Sequence, residues 1–102
     1  MPATQAETEF AAQLRQATDI LRRYGATDVY VFGPVVDRDS RDFADVRFAV
    51  RNLPDGNVID AMTDIALDLQ RTVAISDADA DDPFVRFLHE QRKLRPVEEY
   101  LG

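Results

Sequence analysis

The chain contains no cysteine and no tryptophan, and its single histidine is His89. Without cysteine there are no disulfides, no iron–sulfur cluster, no thiol nucleophile and no Cys-type zinc site. With one histidine, a His-rich metal centre and most Ser-His-Asp schemes are excluded as well. No apolar run approaches the ~18–20 residues of a membrane span. The opening MPATQAETEF has neither a basic stretch nor an apolar core of the kind a secretory signal needs, so a cytoplasmic protein is expected. Basic residues are in the minority, with 12 Lys and Arg against 19 Asp and Glu and a net charge of −7. Residues 1–51 hold 7 basic and 8 acidic residues, whereas residues 52–102 hold 5 and 11. General nucleic-acid binding, which runs on phosphate neutralisation, is not expected of such a chain. A basic partner protein would be steered towards its second half.

What is present is ordinary globular material. The 102 residues, 45% of them hydrophobic and 30% charged, are enough for one domain, read here as 1–102. Phe10, Leu14, Ala17, Leu21 and Tyr24 recur at helical spacing and predict a first helix from Thr4 to Tyr24. Thr4 and Glu7 have capping-box spacing at its start, and Gly25 is placed to end it. Asp28 to Phe32 is aromatic and β-branched and predicts a buried strand running into Gly33-Pro34. Gly33 suits a strand end that needs positive φ, and Pro34 suits the first position of a helical turn. DRDSRD (37–42) reads as a loop. A second strand is expected over Asp45 to Val50, with Val46, Phe48 and Val50 on one face and Asp45, Arg47 and Ala49 on the other.

After the NLPDGN turn (52–57), a second long helix is expected from Val58 to Arg71. Its buried stripe reads as Ile59, Met62, Ala66 and Leu69, with Asp60, Asp64 and Asp68 in water. Thr72 to Ile75 predicts a third strand. DADADD (77–82) reads as a solvated acidic loop, since it lacks the glycine and terminal glutamate of an EF-hand. A last helix is expected from Pro83 to Lys93, burying Phe84, Phe87 and Leu88 and carrying His89 as a plain helix residue. The tail RPVEEYLG adds a short strand or packs through Val97 and Tyr100. This order predicts an α+β domain, a small mixed sheet covered by helices on one face.

The segment VYVFGPVVDRDSRDFADVRFAV, Val29 to Val50, resembles the minimal nucleotidyltransferases (MNT) of the DNA polymerase β superfamily. Those proteins place Gly-Ser after a strand, then ten residues, then Asp-x-Asp on the next strand. Here Gly33-Pro34 is followed by ten residues (35–44) and by Asp45-Val46-Arg47. The resemblance covers roughly residues 8–76 and implies a nucleotidyltransferase-like fold in a bacterial or archaeal protein. It implies that Gly33 and Pro34 stand where the nucleotide is bound, with Arg38 and Arg41 on the bordering loop. It also implies that Asp45 and Arg47 occupy the positions of the two metal-holding carboxylates.

The departures bear on activity. Pro34 has neither the hydroxyl nor the backbone N–H of the family's serine. Arg47 replaces the second aspartate, leaving Asp45 as a lone remnant metal ligand, and no acid stands near Val73-Ala74-Ile75 for the third carboxylate. Magnesium beside a triphosphate needs several convergent oxygen ligands, so a pseudoenzyme without a cofactor is expected, with Mg²⁺ only if transfer survives. Asp45 and Arg47 also fit a plain ion pair on one strand face. The family implies a helical HEPN-type partner in a toxin–antitoxin pair. Two other readings stay open: an active transferase of AMP or another nucleotide, and a nucleotide-binding sensor in which Arg47 replaces the metal. The sequence does not decide between a monomer and a homodimer.

Overall fold

The structure is a computed structural model that describes residues 5–38, 46–71 and 73–101, with the side chains of the first helix from Glu9 onward. Helix α1 spans Gln5–Arg23, followed by strand β1 (Asp28–Phe32), a one-turn helix α2 (Pro34–Asp37) and strand β2 (Arg47–Arg51). A 3-10 turn at Asp55–Asn57 leads into α3 (Val58–Leu69), then β3 (Ala74–Asp77), α4 (Pro83–Glu90), β4 (Arg95–Pro96) and a closing 3-10 turn at Val97–Tyr100. The sheet order is β3-β2-β1-β4. β1 is antiparallel to both β2 and β4, and β2 is parallel to β3. The parallel pair needs a crossover connection, which α3 supplies. The tail therefore adds the short strand, and it also packs down through buried Val97 and half-buried Tyr100.

Helix α1 stops where its backbone groups are best satisfied. Gly25 takes φ 120°, which a glycine tolerates. Its N–H donates to Arg22 O at 3.1 Å, and the Ala26 N–H donates to Leu21 O at 3.0 Å. That pair of bonds is the Schellman closure. Along α1, Phe10, Leu14, Ala17 and Leu21 are all buried against the sheet, as their spacing predicts. Thr18 is buried among them, and its hydroxyl donates to Leu14 O at 2.7 Å, so no polar atom is left unpaired there. The Thr4 end of the capping box lies outside the described residues.

The main core is one face of the sheet, where Val29, Val31, Phe48 and Val50 meet α1 and α3. The alternation expected for β2 holds for its inward side, since Val46, Phe48 and Val50 are buried and Arg47 is exposed. α4 adds a contact on the other face, where Leu88 packs with Phe32, Ala49 and Ala78. Ala49 and Ala78 are small, which lets the helix approach the strands.

Several expected details change. β3 spans Ala74–Asp77 instead of starting at Thr72, because those four residues are the ones that pair with Arg47, Phe48, Ala49 and Val50 of β2. α3 ends at Leu69 instead of Arg71, with Gln70 in the left-handed cap position. Its buried stripe is Ala61, Ile65 and Leu69, while Ile59 is 69% exposed and Met62 and Ala66 are half-buried. The reason is that α3 is apolar over all but the side carrying Asp60, Thr63, Asp64 and Asp68, so two stripes fit its sequence equally well. The Tyr24 hydroxyl donates to Asp64, drawing that carboxylate towards α1 instead of leaving it in water. α4 ends at Glu90 instead of Lys93 and buries Val85 and Leu88; Phe84 and Phe87 remain about half exposed. Val85 and Leu88, three residues apart, share the inward side of α4, and this rotation leaves Phe84 and Phe87 only half covered.

Candidate functional site

The turn after β1 is built by two adjacent residues. Gly33 has φ 82° and ψ −148°, a conformation close to glycine-only territory. Pro34 follows at the first position of α2, where its missing N–H is harmless and its fixed φ suits the helix. Gly33 O then accepts from the N–H groups of both Val36 and Asp37, each at 2.9 Å, and Pro34 O accepts from Arg38 N–H at 2.9 Å. The amides that follow the glycine are therefore largely committed to the turn itself. Little donor capacity remains to cradle a triphosphate.

The strand register places Arg47 beside this turn. Phe32, which immediately precedes Gly33, pairs with Arg47, and Arg47 pairs with Ala74 on β3. Phe32, Arg47 and Ala74 thus form one row across three strands, about 4.8 Å apart. Arg47 is exposed on the face opposite buried Val46 and Phe48 and makes no ion pair among the described residues. Arg38 is exposed at the end of α2 and is likewise without an ion pair among them. Asp45 and Arg41 lie outside the described residues, so the expected Asp45–Arg47 neighbourhood is described on one side only.

The opposite wall comes from the chain's C-terminal part. The Phe84 ring stands edge-on to Phe32, with centroids 5.9 Å apart and planes at 65°. Lys93 Nζ reaches Asp37 Oδ1 at 2.9 Å and ties the segment after α4 to α2. His89 Nε2 donates to Ala78 O at 2.7 Å, which fixes the proton on that nitrogen and the helix on its loop. The DADADD stretch has structural work as well. Asp77 accepts from the Asp79 N–H, Asp82 caps α4 by accepting from Val85 N–H at 2.9 Å, and Asp79 pairs with Arg51 at 3.2 Å. Sequence reasoning missed α4 as a wall of this site and missed the Asp37–Lys93 tie. The cap was readable from Asp82-Pro83, whereas the tie joins residues 56 positions apart and had no local signal.

Among the described residues, the row beside the turn offers no oxygen ligand for a divalent cation. In the Phe32–Arg47–Ala74 row, the two β-strand positions beside the turn carry a guanidinium and a methyl group. Among the described residues, no three His, Asp or Glu side chains gather closely enough to hold a metal ion. What the row offers is a positive charge beside the Phe32 ring, against which Phe84 stands edge-on.

Comparisons with known proteins bear on the fold. No family model matches the chain, and no curated protein is similar to it. Among solved structures, it resembles a chain of the tri-AMPylated Shewanella oneidensis HEPN toxin in complex with MNT antitoxin. The TM-score is 0.61, at 14% identity, over 90% of this chain and 80% of that one. The fold is MNT-like. A mixed α+β domain with a four-stranded sheet is compatible with a nucleotidyltransferase-like architecture, and at this identity the likeness carries nothing about chemistry. No helix among the described residues is long and apolar enough to cross a membrane.

Proposed function

We propose that this MNT-like protein acts by binding a HEPN-type protein, as the antitoxin-like member of such a pair, and does not transfer nucleotides. The observation that carries the loss of transfer is the Arg47–Ala74 pairing. Where metal-dependent transfer needs converging carboxylates, this sheet presents a cation next to a side chain with no donor atom. The turn adds to it, because Pro34 has no N–H and the N–H groups of Val36 and Asp37 are spent within the turn. The fold likeness to a chain from a HEPN–MNT complex supports the partner class.

One observation favours a second reading. Arg47 and Arg38 are exposed and have no ion pair among the described residues, and such a pair of guanidiniums suits a nucleotide's phosphates without a metal. Three measurements on the purified protein separate the readings. Stable co-purification with a HEPN-type protein, with no transfer of labelled AMP and no thermal shift with ATP and Mg²⁺, supports binding alone. A thermal shift with ATP that ignores Mg²⁺ supports the second reading. AMP transfer to the partner would overturn the proposal.

A further inference from the structure

α3 is an unusual surface helix. Its outward side carries Ile59, 69% exposed, and Leu67, 71% exposed, at positions i and i+8. Thr63 lies between them and turns its hydroxyl back to Ile59 O at 2.9 Å. The stripe between the two large side chains therefore presents little that water must solvate. Asp60 and Asp68 lie exposed along its flank and make no ion pair among the described residues, while Asp64 is held by Tyr24. No basic residue occurs anywhere in residues 52–70.

We propose that this face of α3 docks a basic amphipathic helix of a partner protein, an inference that rests on the binding reading above only in taking the partner to be a protein. Charge complementarity selects the occupant. A second copy of this chain laid on the face would set three aspartates of one α3 against three of the other. An anionic bilayer would be repelled in the same way. A helix with an apolar stripe seats its side chains between Ile59 and Leu67, and two Lys or Arg residues about two turns apart reach Asp60 and Asp68. Those two carboxylates are separated by roughly 12 Å along the helix axis at 1.5 Å per residue. This is helix recognition by apolar anchors with charged flanks setting orientation.

The test uses the whole chain and two synthetic helical peptides with the same leucine stripe. One carries lysines flanking it and the other glutamates at the same positions. The lysine peptide is expected to bind and to perturb the amide NMR signals of residues 59–68. Its affinity should fall several-fold between about 0.05 M and about 0.5 M NaCl. Leu67→Lys should weaken it by about tenfold or more, and Asp60→Lys with Asp68→Lys should switch preference to the glutamate peptide. All these positions are exposed, and unchanged melting temperatures confirm that the variants fold. Equal binding of both peptides, perturbations centred on Phe84 and Phe87, or self-association abolished by Leu67→Lys would each overturn the assignment. A complex with a HEPN-type protein that ignores Leu67→Lys would also overturn it, and would leave the binding reading standing.

Discussion

The row across β1, β2 and β3 makes a quantitative prediction, because Arg47 and Ala74 are direct neighbours on one exposed face. Ala74→Asp should place a carboxylate beside the guanidinium. The pair is solvated, so its coupling should be about 0.2–1 kcal/mol in favour of the fold. Aspartate is a poor strand residue and masks that gain in the single variant. A double-mutant cycle with Arg47→Ala removes the intrinsic term and leaves the coupling. The opposite sign follows when Arg47→Asp is combined with Ala74→Asp. Two carboxylates about 6 Å apart, at an effective dielectric between ~40 and ~80, repel by about 0.7–1.4 kcal/mol. For a domain of this size that is a fall in melting temperature of roughly 3–10 °C. A divalent cation bridging the two reverses the interaction, so millimolar Mg²⁺ should recover more of the loss than NaCl of equal ionic strength does. The assay is a set of thermal melts of the cycle and of the double aspartate variant, each with and without Mg²⁺. A coupling of zero or of the wrong sign would refute the shared face. Recovery no greater with Mg²⁺ than with NaCl would refute the idea that a divalent cation can bridge these two positions.

Three other outcomes follow from the same structure. Gly33→Ala should cost about 1–3 kcal/mol, read by urea denaturation, because an alanine at φ 82° and ψ −148° is strained whatever space surrounds it. Ile65→Ala should cost about 2–5 kcal/mol, while Ile59→Ala should stay within about 0.5 kcal/mol; the reverse ranking would mean that α3 is rotated from its described face. The Tyr24 phenol is raised above its usual 10.0, first by its hydrogen bond to Asp64, then by burial and by the charges of Asp64 and Asp60. Its contribution is fully present below the unfolded value near 10 and is lost as pH rises through the higher folded one. Tyr24→Phe should therefore lower the melting temperature at neutral pH and lose less stability above pH 10 than the wild type. An unchanged pH profile in the variant would count against the bond.

The parts legible in the sequence are those whose cause is local. β1 runs from Asp28 to Phe32 because five aromatic, β-branched or strand-entry residues stand together, and Gly25 ends α1 because only a glycine relaxes into that cap. The outward placement of Arg47 follows from the two-residue period of a strand whose Val46, Phe48 and Val50 must face the core. The parts that were not legible depend on partners far along the chain. Ile59, Met62, Ala66 and Leu69 make as good a stripe as Ala61, Ile65 and Leu69, and only the docking of α3 on α1, with Tyr24 bonded to Asp64, selects the second. The half-exposed position of Phe84, edge-on to Phe32, follows from the rotation of α4 on the sheet, 52 residues along the chain from its ring partner.

The site divides along the same line. Gly33, Pro34 and Arg47 could be brought together from spacing and strand period, while the β3 neighbour of Arg47 could be placed only within Val73-Ala74-Ile75, since its exact register waits on the α3 crossover. That register decides the chemistry. A shift by one residue would bring Val73 or Ile75 beside Arg47, and both turn towards the core side. The observed pairing instead sets Ala74 on the exposed face, where a methyl group and no oxygen ligand stands beside Arg47. The transfer that we propose to be absent would draw its carboxylates from two strands, whereas the outer face of α3 lies on a single helix and does not depend on them. On the proposed function, binding through that face would not require transfer.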